Sequence, residues 1–166
     1  AKYLNSPETL LFNKSATLYG LHLAKKAIID SRTAVVVEGY TDVIACHQGG
    51  FTNVVATLGT ATSEHHLRRL FKIVPEVIFC FDGDDAGRTA AARAMETALP
   101  VLSDGVQARF LFLPDGEDPD TLIRQEGRDG FEKRLNESPH LPEFLFEQLK
   151  QQVDFDTLDG KARLDK

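Results

Sequence analysis

The chain has 166 residues, 42% of them hydrophobic, and a formal net charge of −6 at pH 7. Such a composition excludes a disordered tail and is typical of a globular domain with its own core, and no apolar run approaches the roughly 20 residues that span a bilayer. The sequence begins at Ala1 with neither an initiator Met nor a signal-peptide pattern, so we expect a piece of a longer, cytoplasmic protein.

The charge is unevenly distributed along the chain. Residues 1–32 hold five basic and two acidic side chains, whereas the remainder is strongly acidic. The net charge argues against a general nucleic-acid binder. The uneven distribution can arise by chance, but it is also expected of acids that hold divalent cations beside bases that meet phosphate.

The first hundred residues alternate between helical and strand patterns. Apolar residues at helical spacing predict a first helix over 18–29, with Lys25 and Lys26 on its solvated face. Ser63 is the expected N-cap of a later helix. The predicted strands are 34–37, 53–57, 77–81 and 106–113, and the helices between them are 41–48, 63–73 and 86–99.

Continuous apolar strands that alternate with helices predict an α/β fold, with a central parallel sheet of about four strands flanked by helices. After Pro114 the pattern is helical, at 121–126, 131–135 and 141–149. We divide the chain into a basic lead-in segment and helix (1–32), an α/β domain (33–126), and a C-terminal helical subdomain with a polar tail (127–166).

The cysteines and histidines show no zinc-binding spacing. Cys46 and Cys80 are predicted to be reduced and buried, although a disulfide remains an alternative. His65 and His66 are predicted to be solvated and not to share a metal, because neighbouring helical residues point to different sides.

Acidic side chains follow three of the four predicted strands. In an open parallel sheet, ligands gather beyond the carboxyl ends of the strands. Several carboxylates packed together raise one another's pKa unless cations lie among them, and such oxygen ligands suit Mg²⁺ or Mn²⁺. The acids are Glu38 and Asp42 after the first strand, Asp82, Asp84 and Asp85 after the third, and Asp115, Glu117, Asp118 and Asp120 after the fourth.

Each of these acids alone has an ordinary structural explanation. Asp84, Asp85 and Asp118 stand where predicted helices begin, and carboxylates are favoured there as N-caps and dipole partners. Asp82 and Asp84, however, are two residues apart and would face the same side of an extended backbone. Three acidic motifs at strand ends favour a metal site over unrelated caps.

Residues 36–42 and 81–87, which contain the first two acidic motifs, resemble the Toprim module shared by topoisomerases and primases. Two further stretches, 2–14 and 112–121, resemble segments of bacterial DNA primases. The resemblance covers nearly the whole chain. It implies the catalytic core of an RNA polymerase that makes short RNA primers on a single-stranded DNA template from ribonucleoside triphosphates.

The resemblance also implies roles for individual residues. Glu38, Asp82 and Asp84 would be the catalytic acids of a divalent-metal-dependent nucleotidyl transfer. The full set of implied metal ligands is Glu38, Asp42, Asp82, Asp84, Asp118 and Asp120, and the implied nucleotide- or nucleic-acid-binding set is Lys2, Asn5, Lys14, Gly59, Thr60 and Arg88. Arg88 is equally well explained as a solvated helix residue.

The implied cofactor is Mg²⁺, with Mn²⁺ able to substitute. Zinc is expected only in an upstream domain of the family, and the replicative helicase is expected to bind through a C-terminal domain; we expect both domains, and an upstream part of the core, to be absent from this chain. No membrane partner is expected. The chain alone should therefore be weakly active or inactive.

Two other functions remain open at this point. A Toprim nuclease or topoisomerase would break DNA and, for the latter, needs a nucleophilic tyrosine. Tyr40 lies within the first motif, but we expect it to be a packing aromatic. The other possibility is a non-catalytic module that binds metal and phosphate.

Overall fold

The computed structural model describes residues 6–152 (the side chains of 149, 151 and 152 excepted) and shows a sheet of four strands between two layers of helices. None of the described helices is long and apolar enough to cross a membrane. The elements are α1 (Leu21–Ser31), β1 (Thr33–Val37), α2 (Tyr40–Gln48), β2 (Val54–Ala56), α3 (Glu64–Phe71), β3 (Glu76–Phe81), α4 (Asp85–Ala98), β4 (Gln107–Phe112), α5 (Pro119–Glu137) and α6 (Leu141–Gln152).

The four strands are all parallel and lie in the order β2-β1-β3-β4. The predicted α/β fold with a parallel sheet of about four strands is therefore confirmed. β1 and β3 are the central pair, with Val36 opposite Phe79. Their β-branched and aromatic side chains are buried on both faces, as expected for strands between helical layers. Because all four strands are parallel, their carboxyl ends lie at one edge of the sheet.

Helices cover both faces of the sheet. The core on one face is built from α1, α3, α4 and α6 and contains Phe79 and Phe110. The core on the other face is built from α2 and α5 and contains Val35, Ile78 and Phe131. The boundaries that we drew at residues 33 and 127 stay predictions. Helix α5, which runs across residue 127, and helix α6 both pack against the sheet.

A row of stacked rings joins the last described helix to the sheet. The ring centroids of Phe79 and Phe110 are 5.3 Å apart, and those of Phe110 and Phe144 are 4.9 Å apart. Burying aromatic side chains of this size stabilises a core by several kcal/mol in total, roughly 2 kcal/mol for each ring. Phe144 thus fixes α6 on β4.

The helices predicted at 121–126 and 131–135 are one element, α5, with a break inside it. Asp118 caps its first turn and Pro119 occupies the first helical position. At Gly127 the backbone leaves the helical region, with φ 71° and ψ −177°, and only glycine adopts such angles readily. The gap between the two predicted helices corresponds to this break.

The predictions for cysteine and histidine had different outcomes. Cys46 and Cys80 are free and buried, as predicted. The prediction for His66 is wrong, because this side chain is fully buried. Its Nδ1 accepts a hydrogen bond from the Ser63 amide at 3.0 Å, and its Nε2 lies 2.8 Å from the carbonyl oxygen of Lys14. A contact with a segment 52 residues away therefore keeps it from solvent.

Candidate metal centre

The three acidic motifs meet at the carboxyl edge of the sheet. Glu38 follows β1, Asp82 follows β3, and Asp118 precedes α5. Burial raises the pKa values of Glu38, Asp42 and Asp82, and the charges of the other acids in these motifs raise them further. The members of this acidic cluster are Glu38, Asp42, Asp82, Asp84, Asp118 and Asp120.

Glu38 links the first motif to the second. Its Oε1 accepts a hydrogen bond from the backbone amide of Asp82 at 2.9 Å. Burial raises the pKa of the Glu38 carboxyl, and the neighbouring charge of Asp84 raises it further, against the opposing effect of the hydrogen bond. A carboxylate held in this way remains negative near neutral pH most readily when a cation lies beside it.

Asp82 lies at the centre of the cluster. Burial raises the pKa of its carboxyl to about 7, and the charges of Glu38, Asp42, Asp118 and Asp84 contribute in that order. Among the described residues, the buried Oδ1 atom of Asp82 has no hydrogen-bond partner. A buried carboxylate oxygen without a donor is costly, and a bound cation would remove that cost.

Asp42 belongs to the cluster and also shapes the first turn of α2. Its Oδ2 accepts a hydrogen bond from the Gly39 amide at 3.0 Å. Burial raises the pKa of the Asp42 carboxyl to about 6, and the charges of Asp118, Glu38 and Asp120 raise it as well. Asp42 is therefore coupled to the first and third motifs at once.

Two members of the cluster are helix caps, as the structural explanation predicted. Asp84 Oδ1 accepts a hydrogen bond from the Gly87 amide at 2.6 Å, and Asp118 Oδ1 accepts one from the Thr121 amide at 2.8 Å. Each cap engages Oδ1 and leaves Oδ2 for another ligand. Asp120 is half-exposed and pairs with Arg124 at 2.9 Å. Capping and metal binding are compatible in this arrangement.

Two glycines allow the motifs to approach one another. A Cβ on Gly83 would lie 1.8 Å from the carbonyl oxygen of Pro114, and one on Gly87 would lie 2.1 Å from that of Asp82. The Gly83 amide donates to the Glu117 carbonyl at 2.9 Å, and its own carbonyl accepts from Gly116 at 2.8 Å. The second and third motifs are thus joined backbone to backbone, where no larger residue fits.

The cluster is not a closed metal cage. Within residues 6–152, no three His, Cys, Asp or Glu side chains are arranged to hold one ion directly. The residues fit an ion that takes one or two carboxylates from the protein and completes its shell with water and substrate phosphate, as Mg²⁺ usually does. The unpartnered Oδ1 of Asp82 is the position at which such an ion would replace a missing donor.

A cleft of about 460 Å³ lies beside Glu38, between α4 and the loop that follows β2. Gly59 and Thr60 line it, so the structure brings these two predicted residues close to the acidic cluster. The loop is held tightly, because the Thr57 hydroxyl donates to the Thr60 carbonyl at 2.7 Å and Gly59 has φ 68°. The volume is in the usual range for a small-molecule site.

Sequence reasoning missed the α4 wall of this cleft. Ala86, Thr89, Ala90 and Arg93 all line it. Their spacing of three, four and seven residues places them on one face of a helix. A helical face with small side chains followed by an arginine would have indicated this wall of the cleft.

The predicted basic residues have different positions. Lys2 and Asn5 lie outside the described residues. Lys14 is half-buried, and in the described part of the chain no carboxylate lies within ion-pair distance of its ammonium group. Arg88 pairs with Asp115 at 3.0 Å and lies 5.0 Å from the centre of the Phe112 ring. Arg88 therefore joins α4 to the third motif.

Comparison with protein-family models matches three parts of the chain. Residues 32–112 match the Toprim domain, residues 1–25 match the N-terminal domain of the DNA primase catalytic core, and residues 142–165 match the DnaB-helicase binding domain of primase. The last two matches correct our expectation that the upstream core and the helicase-binding domain are wholly absent. Part of each lies within the chain, and residues 153–165 are outside the described range.

Comparison with individual proteins gives matches over nearly the whole chain. The DNA primase of Pseudomonas aeruginosa is 57% identical over 98% of this chain and 25% of that protein. The chain thus spans about a quarter of the length of this curated relative. A crystal structure of a DNA primase domain from Pseudomonas aeruginosa has a TM-score of 0.91 and 56% identity, over 99% of this chain and 51% of that one.

A solved structure with nucleic acid is also similar. The DnaG primase catalytic domain bound to ssDNA has a TM-score of 0.89 and 53% identity, and the match covers 98% of this chain and 53% of that chain. The Toprim fold expected from the two acidic motifs is therefore confirmed.

Proposed function

Because the chain belongs to the bacterial DNA primase family, we propose that it forms the metal-binding part of a primase active site, which synthesises short RNA primers on single-stranded DNA. The observation that carries this proposal is the buried, unpartnered Oδ1 of Asp82 within a cluster of six carboxylates. Such an arrangement destabilises the metal-free site and favours a divalent cation.

In this proposal one or two of the acids Glu38, Asp82 and Asp84 bind the ion directly and the others act through its bound water, while Asp42, Asp118 and Asp120 maintain the negative potential around it. The ion, Mg²⁺ with Mn²⁺ as a substitute, would lower the pKa of the attacking hydroxyl and stabilise charge on the phosphate oxygens. Asp84 and Asp118 contribute through Oδ2, since their Oδ1 atoms cap α4 and α5.

The reaction is the attack of a ribonucleotide 3′-hydroxyl on the α-phosphorus of a ribonucleoside triphosphate. The hydroxyl proton passes to water as the new P–O bond forms. The P–O bond between the α-phosphorus and the β-phosphate breaks, and its electron pair leaves with pyrophosphate. The protein side chains position the reactants and stabilise charge, which accounts for most of the rate in transfers of this kind. Lys14, Lys2 and Asn5 would bind phosphate or template.

The cleft beside Glu38 is proposed as the place of the nucleotide next to the ion. Gly59 and Thr60 form one wall and Arg93 lies on the other. Arg88 has a structural partner in Asp115, so it would have to exchange that partner to reach a phosphate. We therefore give Arg93 a larger part in phosphate binding than Arg88.

The proposed partners follow from the relatives. The similar catalytic domain bound to ssDNA supports a single-stranded template in this family. The match of residues 142–165 supports the replicative helicase as a partner through this end of the chain. We place the protein in the bacterial cytoplasm, where such replication partners are found.

A strand-breaking function is not supported. A topoisomerase needs a free tyrosine nucleophile, and the ring of Tyr40 packs 5.6 Å from that of Tyr19. The comparisons match primases over nearly the whole chain, including segments on both sides of the Toprim domain.

The proposal can be tested in a chimera in which this chain replaces the matching segment of the Pseudomonas aeruginosa primase. Asp82→Asn with Asp84→Asn should abolish magnesium-dependent primer synthesis on single-stranded DNA. Asp104→Asn, at an exposed acid outside the cluster, is the matched control. Undiminished synthesis by the double variant would contradict the proposal.

A further inference from the structure

The segment that carries Lys14 is a compact turn built around Asn13. The Asn13 carbonyl accepts hydrogen bonds from the Thr17 amide at 3.0 Å and from the Thr17 hydroxyl at 2.7 Å. Its side-chain Oδ1 accepts from the Ser15 amide at 2.9 Å. These bonds use the interior of the turn and direct the carbonyls of Lys14, Ser15 and Ala16 outwards.

Three side chains of the α3 segment bind those three carbonyls. The Ser63 hydroxyl donates to Ser15 and Arg69 donates to Ala16 at 3.1 Å. His66 Nε2 lies 2.8 Å from the Lys14 carbonyl oxygen. Successive carbonyls 14, 15 and 16 are thus held by one helix and its N-cap.

The roles of the His66 ring nitrogens follow from its partners. A backbone amide can only donate, so Nδ1 accepts from Ser63 and carries no proton. The neutral ring then has its proton on Nε2, which donates to Lys14. Burial lowers the pKa of His66, which keeps the ring in this neutral form. In a protonated ring Nδ1 would carry a hydrogen as well, and this donor would face the Ser63 amide, which is also a donor.

From this geometry we infer that His66, with Ser63 and Arg69, is a positioning residue that holds Lys14 in place for phosphate binding. The inference rests on the proposed function, in which Lys14 binds phosphate. These three residues are close to the proposed nucleotide cleft, because Thr62, which lines the cleft, directly precedes Ser63. α3 thereby supports the cleft loop and the Lys14 turn together.

The test is a double-mutant cycle in the chimeric primase, with His66→Ala, Lys14→Ala and the pair. His66→Ala should raise the KM for ribonucleoside triphosphates about fivefold with a smaller change in kcat. The pair should have no larger effect than Lys14→Ala alone, since His66 acts through Lys14. In His66→Gln the side-chain amide can donate to the Lys14 carbonyl, so the KM should return most of the way to the wild-type value.

Two further variants keep the test valid if His66→Ala folds poorly. Arg69 is exposed, so Arg69→Ala should fold and still raise KM through the loss of its bond to Ala16. Arg68→Ala is the matched control, because Arg68 is exposed and, among the residues that the structure describes, forms an ion pair only with Glu64 of its own helix. Thermal unfolding of each variant separates stability from KM.

Additive effects of His66→Ala and Lys14→Ala, or a lowered melting temperature with unchanged KM, would overturn the inference. An unchanged KM in Lys14→Ala would overturn it too. Mn²⁺ binding by the chain is measured in parallel. If His66 is coupled to Lys14 but the chain does not bind Mn²⁺ at the acids, the metal-binding part of the proposed function is contradicted and the inference about His66 is still supported.

Discussion

The Glu38 carboxylate accepts a hydrogen bond from the backbone amide of Asp82 at 2.9 Å, which joins the ends of the two central strands. Burial raises the pKa values of both carboxyls and the charges of neighbouring acids raise them further, although the hydrogen bond itself lowers the pKa of Glu38. Without a cation, the repulsion among these carboxylates would therefore destabilise the folded chain.

Asp82→Asn should weaken Mn²⁺ binding by the chain about tenfold or more. In EDTA at a pH above 7 the same change should raise the melting temperature by a few degrees, because a repelled, half-buried charge is removed. Isothermal titration and thermal unfolding measure the two effects. Asp104→Asn should change neither. Lower stability with unaltered Mn²⁺ affinity would count against a metal site at Asp82.

The stability of the metal-free chain should depend on pH in an unusual direction. The pKa values of Asp82 and Asp42, about 7 and about 6, lie above the ordinary value. The folded state therefore binds more protons than the unfolded state between about pH 4 and about pH 7, so the free energy of unfolding from these groups falls as the pH rises. Melting temperatures in EDTA across this range measure the slope.

Metal affinity should change with pH in the opposite sense. An ion must displace the protons of Asp82 and Asp42, so Mn²⁺ should bind more tightly as the pH rises from about 5 to about 8. A chain with Asp42→Asn and Asp82→Asn should lose both this dependence and most of the stability slope. If that variant keeps the wild-type slope, other groups are responsible.

Gly83→Ala should destabilise the chain by roughly 3 kcal/mol or more, because its Cβ would overlap the Pro114 carbonyl oxygen. Mn²⁺ affinity should fall as well, since the third motif has to move away from the second. Gly105→Ala is a suitable control: it has φ +87° and no neighbour within 4 Å, and should cost only roughly 1 kcal/mol. Equal effects in the two variants would show that close packing at Gly83 is unimportant.

Arg109→Met should cost roughly 3 to 5 kcal/mol. Its side chain is 12% exposed and pairs with Glu76 at 3.5 Å, and it donates to the carbonyls of Leu135 and Asn136 in the last turn of α5 and of Ser138 just beyond it. Denaturant unfolding measures the loss. Lys133→Met, which removes an exposed pair, should cost under roughly 1 kcal/mol, and a similarly small cost for Arg109→Met would contradict the prediction.

The strands and most helices could be predicted because their periodicity is local. The β-branched run at 34–37 and the Ala-rich run at 86–99 each specify their element within a few residues. The convergence of Glu38, Asp42 and Asp82 was also predictable, since acids that follow parallel strands lie at one edge. The roles of these residues in binding metal stay predictions.

His66 shows what local patterns leave out. Its burial depends on the turn around Asn13, in which the Lys14 carbonyl contacts the His66 ring. Lys14 and His66 are 52 residues apart in the sequence. Neither the spacing nor the composition of residues 63–73 predicts that contact. The same holds for Arg93, whose position in the cleft depends on how α4 lies over the sheet.

The stacked rings of Phe110 and Phe144 have a practical consequence for dividing the protein. The helicase-binding model begins at residue 142, yet Leu141 and Phe144 are buried in the core beneath the sheet. A polypeptide that ends just before residue 142 would lack α6. The aromatic side chains of β4 that α6 covers would then be exposed to water. Expression boundaries for the catalytic portion are better placed beyond α6, because the helix at the start of the helicase-binding match also covers the sheet.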